Sequence, residues 1–130
     1  MQLPENIILA LESAEGKALA TISDDGVHVV PVSTCYVIDR QIVLVNYFMG
    51  QTLENLIKNN RVALAFWKGL SGYQIKGEIE YQTGGEIFAS VVAKVAISLP
   101  TRVVKGVLVL KISEVYDISA TAEKPGVRLQ

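Results

Sequence analysis

The chain has 130 residues, half of them hydrophobic and 19% charged, with 12 Lys and Arg against 13 Asp and Glu, one cysteine and one histidine. That length suits one core and not two, so a single domain over residues 1–130 is expected, and apolar residues spread along the whole chain exclude a disordered polymer. The balanced charge with no Lys/Arg block argues against a nucleic-acid partner, and one Cys with one His excludes an internal disulfide and a zinc ligand set. No apolar run reaches the roughly 20 residues of a membrane helix and the first residues lack the basic flank of a leader, so no membrane partner and a cytoplasmic location are expected.

Residues 4–13 carry a helical period: Pro4 suits the first turn, Ile7, Ile8 and Leu11 share a face, and Gly16 can end a helix that would lie as a short lid. A strand over 17–23 meets Asp24-Asp25-Gly26, a hairpin signal, and a long strand over 27–38 follows. Pro31 inside that strand marks a bulge or an unpaired edge, because it has no N–H for the ladder. Asp39-Arg40 turns the chain into a third strand over 41–48, completing a meander. Residues 52–60 change period, with Leu53, Leu56 and Ile57 at helical spacing, Thr52 available as N-cap and Glu54 in the first turn. Strand character returns at 61–67, Gly69 to Gly72 is a loop, and 73–81 alternates as a half-buried strand that pairs with 62–67. Thr83 and Glu86 have capping-box spacing, and Ile87, Phe88, Val91, Val92 and Val95 line one side of the next helix, which Leu99-Pro100 stops. Residues 107–112 and 115–118 read as a closing strand with a break near Ser113-Glu114, before a polar tail after Ala120. About six strands with short helices predict a mainly β fold, a closed antiparallel barrel. The interior of so small a barrel is filled by side chains, which leaves the outer wall or an interface for a ligand.

Phosphate loops, dinucleotide glycine fingerprints and nucleophile elbows are absent. Ser33, Thr34 and Cys35 are conceivable nucleophiles, but the one imidazole, His28, falls on the Val30, Val32 and Thr34 side of its strand, opposite Ser33 and Cys35. Cys35 reads as a small buried hydrophobe and His28 as a partly exposed polar residue. The junction 46–56 stands apart, because a strand end, a glycine and a helix N-terminus meet there. Free N–H groups and the helix dipole at such a terminus favour an anion such as phosphate, to which Gln51 and Thr52 can add an amide and a hydroxyl. The plainer alternative is that Thr52 only caps the helix.

Thr52-Leu-Glu-Asn-Leu followed by Asn60-Arg-Val-Ala-Leu is the most diagnostic part of a pattern over roughly residues 16–118. It includes the Asp-Asp-Gly turn, Pro31-Val32-Ser33 and Gly72-Tyr-Gln-Ile-Lys-Gly-Glu78. This pattern resembles the pyridoxamine 5′-phosphate oxidase-like family of split barrels that bind flavin mononucleotide (FMN). The resemblance implies an antiparallel split β-barrel homodimer with FMN against the second and third strands. Val32, Ser33 and Thr34 would flank the ring or its ribityl chain, and Asn46, Tyr47 and Phe48 would pass close to the ring. Gln51 and Thr52 would hold the phosphate, while Lys76 and its neighbours, or the partner's C-terminal segment, would complete the pocket across the seam. No catalytic side chain is implied, since the flavin would carry electrons between a small-molecule or protein donor and acceptor. Gln51 departs from the Lys or Arg that the family commonly has there, so compensation is expected from Lys58, Arg61, Lys68 or Lys76. The same resemblance leaves room for deazaflavin F420 or haem as cofactor, or for a dimeric module without flavin.

Overall fold

The computed structural model describes residues 2–120 and 126–130. Along the chain run α1 (Glu5–Glu12), β1 (Gly16–Ser23), β2 (Gly26–Pro31), β3 (Cys35–Ile38), β4 (Gln41–Asn46), α2 (Gln51–Lys58), β5 (Arg61–Lys68), β6 (Ser71–Gln82), α3 (Gly85–Ser98), β7 (Gly106–Asp117) and β8 (Val127–Arg128). Among the described residues every pairing is antiparallel, in the order β2-β1-β5-β6-β7-β4-β3 with β8 on β7, so the fold is a split β-barrel with eight described strands rather than six. Part of the polar tail, 121–125, lies outside the described residues; β8 comes from the last residues of that tail. Among the described residues no helix is long and apolar enough to cross a membrane.

The other added strand comes from the expected long strand over 27–38, which divides at 32–34. Its first half pairs with β1 and its second with β4, at opposite ends of the sheet order. The barrel therefore closes through a bend in the chain and not through a ladder; no pairing joins β2 to β3 among the described residues. Pro31 sits where its missing N–H costs nothing, at the last position of an edge strand. Both hairpins form at the expected turns. Asp24-Asp25 closes β1–β2, with Gly26 at φ 118°, and Asp39 (φ 51°) with Arg40 (φ 63°) gives the doubly left-handed turn whose twist suits two-residue hairpins. The expected break near Ser113 is a bulge within a continuous β7: pairing steps from Lys76 with Glu114 to Gly77 with Ile112, leaving Ser113 unpaired.

Two apolar clusters result. Leu19, Ile42, Leu44, Leu64, Phe66, Ile75, Leu108 and Leu110 fill the barrel, and Ile7, Ile8 and Leu11 of α1 plug one end. Val43, Val45, Val107 and Val109 point outward from β4 and β7 into Val91 and Val95 of α3, which explains why these two strands read as unbroken apolar runs. Val92 is turned to solvent instead of joining that seam. The outer wall of β2, β1 and β5 has no such cover: Ile22, Val27, Val29 and Trp67 are exposed there.

Helix ends depart from their expected caps. Pro4 is the N-cap of α1 and Ser13 its C-cap, so Gly16 opens β1 instead of ending the helix. Gly50 is the N-cap of α2, and Thr52, at the second helical position and 3% exposed, is too far inside to cap. Gly84 is the N-cap of α3 and the Thr83–Glu86 box does not form, because Gly84 and Gly85 (φ 92°) carry the turn in the backbone.

Candidate functional site

The turn from β4 to α2 is built by one buried amide. Asn46 Oδ1 accepts the Met49 N–H (2.8 Å), and Nδ2 donates to the Tyr81 hydroxyl (2.9 Å), tying the turn to β6. Tyr47 then donates its hydroxyl to Thr34 Oγ1 (3.0 Å), which holds the linker 32–34 against the same turn. On the other side Gln51 Nε2 donates to Asn55 Oδ1 (2.7 Å), and Asn55 Nδ2 donates to Thr21 Oγ1 (3.0 Å), which pins α2 to β1. Asn55 and Thr21 are 2% and 1% exposed, so this chain of bonds runs from the exposed Gln51 into the core.

Between the linker and the turn lies a cleft of about 410 Å³. Val32 and Ser33 form one wall, Tyr47 and Phe48 the other, and Gly50, Gln51 and Thr52 present the N-terminus of α2 to it. Among the described residues no side chain caps that terminus; Glu54 N–H donates to the Gly50 carbonyl, and the N–H groups of Gln51, Thr52 and Leu53 before it have no intrahelical acceptor. Thr34 and Asn46, expected beside a flavin ring, stand behind the cleft, their polar groups engaged in holding its walls. Lys76 is brought elsewhere: it faces outward from β6, in a second pocket of about 280 Å³ with Arg61, Glu78 and Glu114, its Nζ 5.0 Å from the centre of the Tyr116 ring.

Two titratable side chains of the cleft lining, His28 and Arg102, are absent from the set that the sequence points to. His28 lines it, on the face that strand alternation gives it with Val30 and Val32, so its face, though not the cleft, was available from periodicity. The bend after Pro31 breaks the alternation and puts Ser33 on the same cleft as His28, although no hydrogen bond joins them among the described residues. Arg102, from the α3–β7 connection, carried no such signal. Its guanidinium lies 5.0 Å from the Tyr47 ring centre and 5.6 Å from that of Phe48. Among the described residues the lining holds no Asp or Glu, so Arg102 and the helix terminus make the cleft favourable to an anion. Burial pushes the Cys35 thiol up to about 12 against a smaller opposing pull from Lys17, so it stays protonated near neutrality.

Residues 3–119 match the sequence model of the pyridoxamine 5′-phosphate oxidase family. The chain belongs to this family. It is 34% identical over 127 residues to the uncharacterized protein MJ0282 of Methanocaldococcus jannaschii, across 92% of this chain and 83% of that one. HupZ of Group A Streptococcus has the same fold at TM-score 0.81 and 20% identity, over 99% of this chain and 100% of that one. An FMN-binding protein from Syntrophomonas wolfei has it at TM-score 0.73 and 17% identity, over 89% and 90%.

Within this pyridoxamine 5′-phosphate oxidase fold, none of the basic residues expected to offset Gln51 lines the cleft. Lys58 pairs with Asp24 (3.7 Å), Lys68 lies toward α1 with Ala10 and Ser13, and Arg61 shares the outer-wall pocket with Lys76. Alternation explains the last two: neighbouring strand residues point to opposite faces, and Val62 and Ile75 have taken the inner one.

Proposed function

We propose that this member of the pyridoxamine 5′-phosphate oxidase family is a homodimeric flavoprotein that binds FMN in the cleft at the start of α2. The observation that carries the reading is the meeting of an uncapped helix N-terminus with Gln51, Thr52, two aromatic residues and the linker 32–34 around one cleft. Its volume lies within the range of about 300–1,000 Å³ usual for small-molecule sites. The N–H groups of the first turn and the Thr52 hydroxyl hold the phosphate, and Val32, Ser33, Tyr47 and Phe48 border the ring and its side chain. Bound flavin supplies one- and two-electron transfer to a small-molecule or protein partner. The chain's own part is to bind, orient and shield, which suits a cleft with no carboxylate or thiolate among its described lining residues.

The second copy meets the uncovered outer wall of β2, β1, β5 and β6, where exposed Val27, Val29 and Trp67 gain cover and Lys76 faces the partner. Two measurements test this. A visible absorption and fluorescence titration with FMN, run beside a sizing column, is expected to give flavin bands, quenched emission and a dimer-sized peak; a dimer that ignores FMN leaves a module without flavin. Thr52→Ala is expected to weaken FMN by about three- to tenfold, the worth of one hydrogen bond, and riboflavin far less. Equal losses for both ligands would move the phosphate away from Thr52.

A further inference from the structure

We infer that Arg102 supplies the cation for the phosphate, taking over from outside the helix the charge that Gln51 lacks; this rests on the flavin-binding function proposed for the cleft. Arg102 is the lone Lys or Arg among the described residues lining the cleft, and it shares that lining with Gly50, Gln51 and Thr52. Its connection is fixed at both ends: Arg102 N–H donates to the Leu99 carbonyl (3.0 Å), and Lys105 N–H donates to the carbonyl of Asn46 (2.9 Å), the residue that builds the junction. The side chain is oriented as well, because its guanidinium is attracted to the faces of Tyr47 and Phe48. Such a contact uses the flat face of the guanidinium and leaves the N–H groups around its edge free to grip two phosphate oxygens at once.

Phe48 gains an explanation from this. A phenyl ring that is 77% exposed is costly to display, yet here it forms the platform beneath Arg102, with Lys105 Nζ on the same ring at 5.7 Å. Among the described residues no carboxylate pairs with Arg102. Among the described residues the charge is thus held in place by aromatic rings with no carboxylate to neutralise it, as an anion site requires.

The test compares equilibrium affinities for FMN and riboflavin, ligands that differ by the phosphate, in the full chain. Arg102→Ala is expected to weaken FMN by about tenfold to a hundredfold, the loss of a charge-assisted contact, with riboflavin changed less than about twofold. Lys94→Ala, which removes an equal charge from α3 away from the cleft, is expected to leave the preference for FMN in place. Gln51→Lys added to Arg102→Ala is expected to restore most of the FMN affinity. Equal losses for the two ligands in Arg102→Ala, an unmoved preference, or a double variant as weak as the single one would each overturn the inference while leaving flavin binding intact. Wild-type protein that binds neither flavin overturns the flavin-binding function and this inference with it.

Discussion

Asn55→Ala is expected to lower the stability of the protein by about 2–4 kcal/mol, read as a shift in the urea unfolding midpoint. The amide is 2% exposed, and it joins Gln51 at the mouth of the cleft to Thr21 in the core. Truncation leaves the Thr21 hydroxyl without that donor in a site 1% exposed, and opens a cavity under α2. A second variant separates the two causes. Thr21→Val with Asn55→Leu removes both hydrogen-bonding groups and refills the space, so it is expected to be more stable than Asn55→Ala alone. A double variant no more stable than the single one would mean that this bond is not what holds the helix. Because the same amide fixes Gln51, Asn55→Ala also releases the first residue of α2 at the proposed phosphate site.

The second large effect is expected at Gly77. A strand interior ordinarily gains from replacing glycine, so strand propensity alone ranks valine above alanine above glycine here. The local geometry reverses that order. β6 passes the Ser113 bulge of β7 at this residue, and a Cβ on Gly77 would overlap the Lys111 carbonyl oxygen and come within 3.2 Å of the Ile112 Cα. These neighbours are backbone and cannot rotate away. Gly77→Ala is expected to cost about 1–3 kcal/mol and Gly77→Val more, measured in the same unfolding experiment. A valine variant at least as stable as wild type would show that the bulge relaxes freely. The effect also reaches the outer wall, since the bulge aims Ser113 and Glu114 into the pocket that holds Lys76.

The proposed site is made by three tethers, each spanning different elements: Tyr47 to Thr34, Asn46 to Tyr81, and Asn55 to Thr21. None of the six side chains needs to touch a ligand for the cleft to exist. Asn46 and Thr34 illustrate why a position can matter to a site and still lie behind it, with hydrogen-bonding capacity already used by the protein.

The sequence by itself determined the features whose cause is local. Alternation along 61–67 and 73–81 specifies the β5–β6 pair; Asp24-Asp25-Gly26 and Asp39-Arg40 specify their hairpins; and the change of period after Thr52 specifies α2, while the family model matches residues 3–119 as a whole. Such patterns are legible because each depends on residues within a turn or two of one another. Tertiary structure alone decided which surfaces meet. Alternation says that Lys76 faces away from Ile75 but not that this face is the uncovered wall. Locally, Pro31 marks an irregularity in 27–38, but it does not say that the chain divides at 32–34 so that its two halves pair with opposite ends of the sheet. Thr52 has the chemistry of a cap, yet Gly50 takes that place when the turn is closed by Asn46. Arg102 has no signal at all, because its meeting with Tyr47 and Phe48 depends on α3 packing over β4 and β7 and returning its connection to the junction. Periodicity records the direction a side chain takes from its own backbone, whereas a cleft is made by the arrival of distant backbone, which only the closed barrel sets.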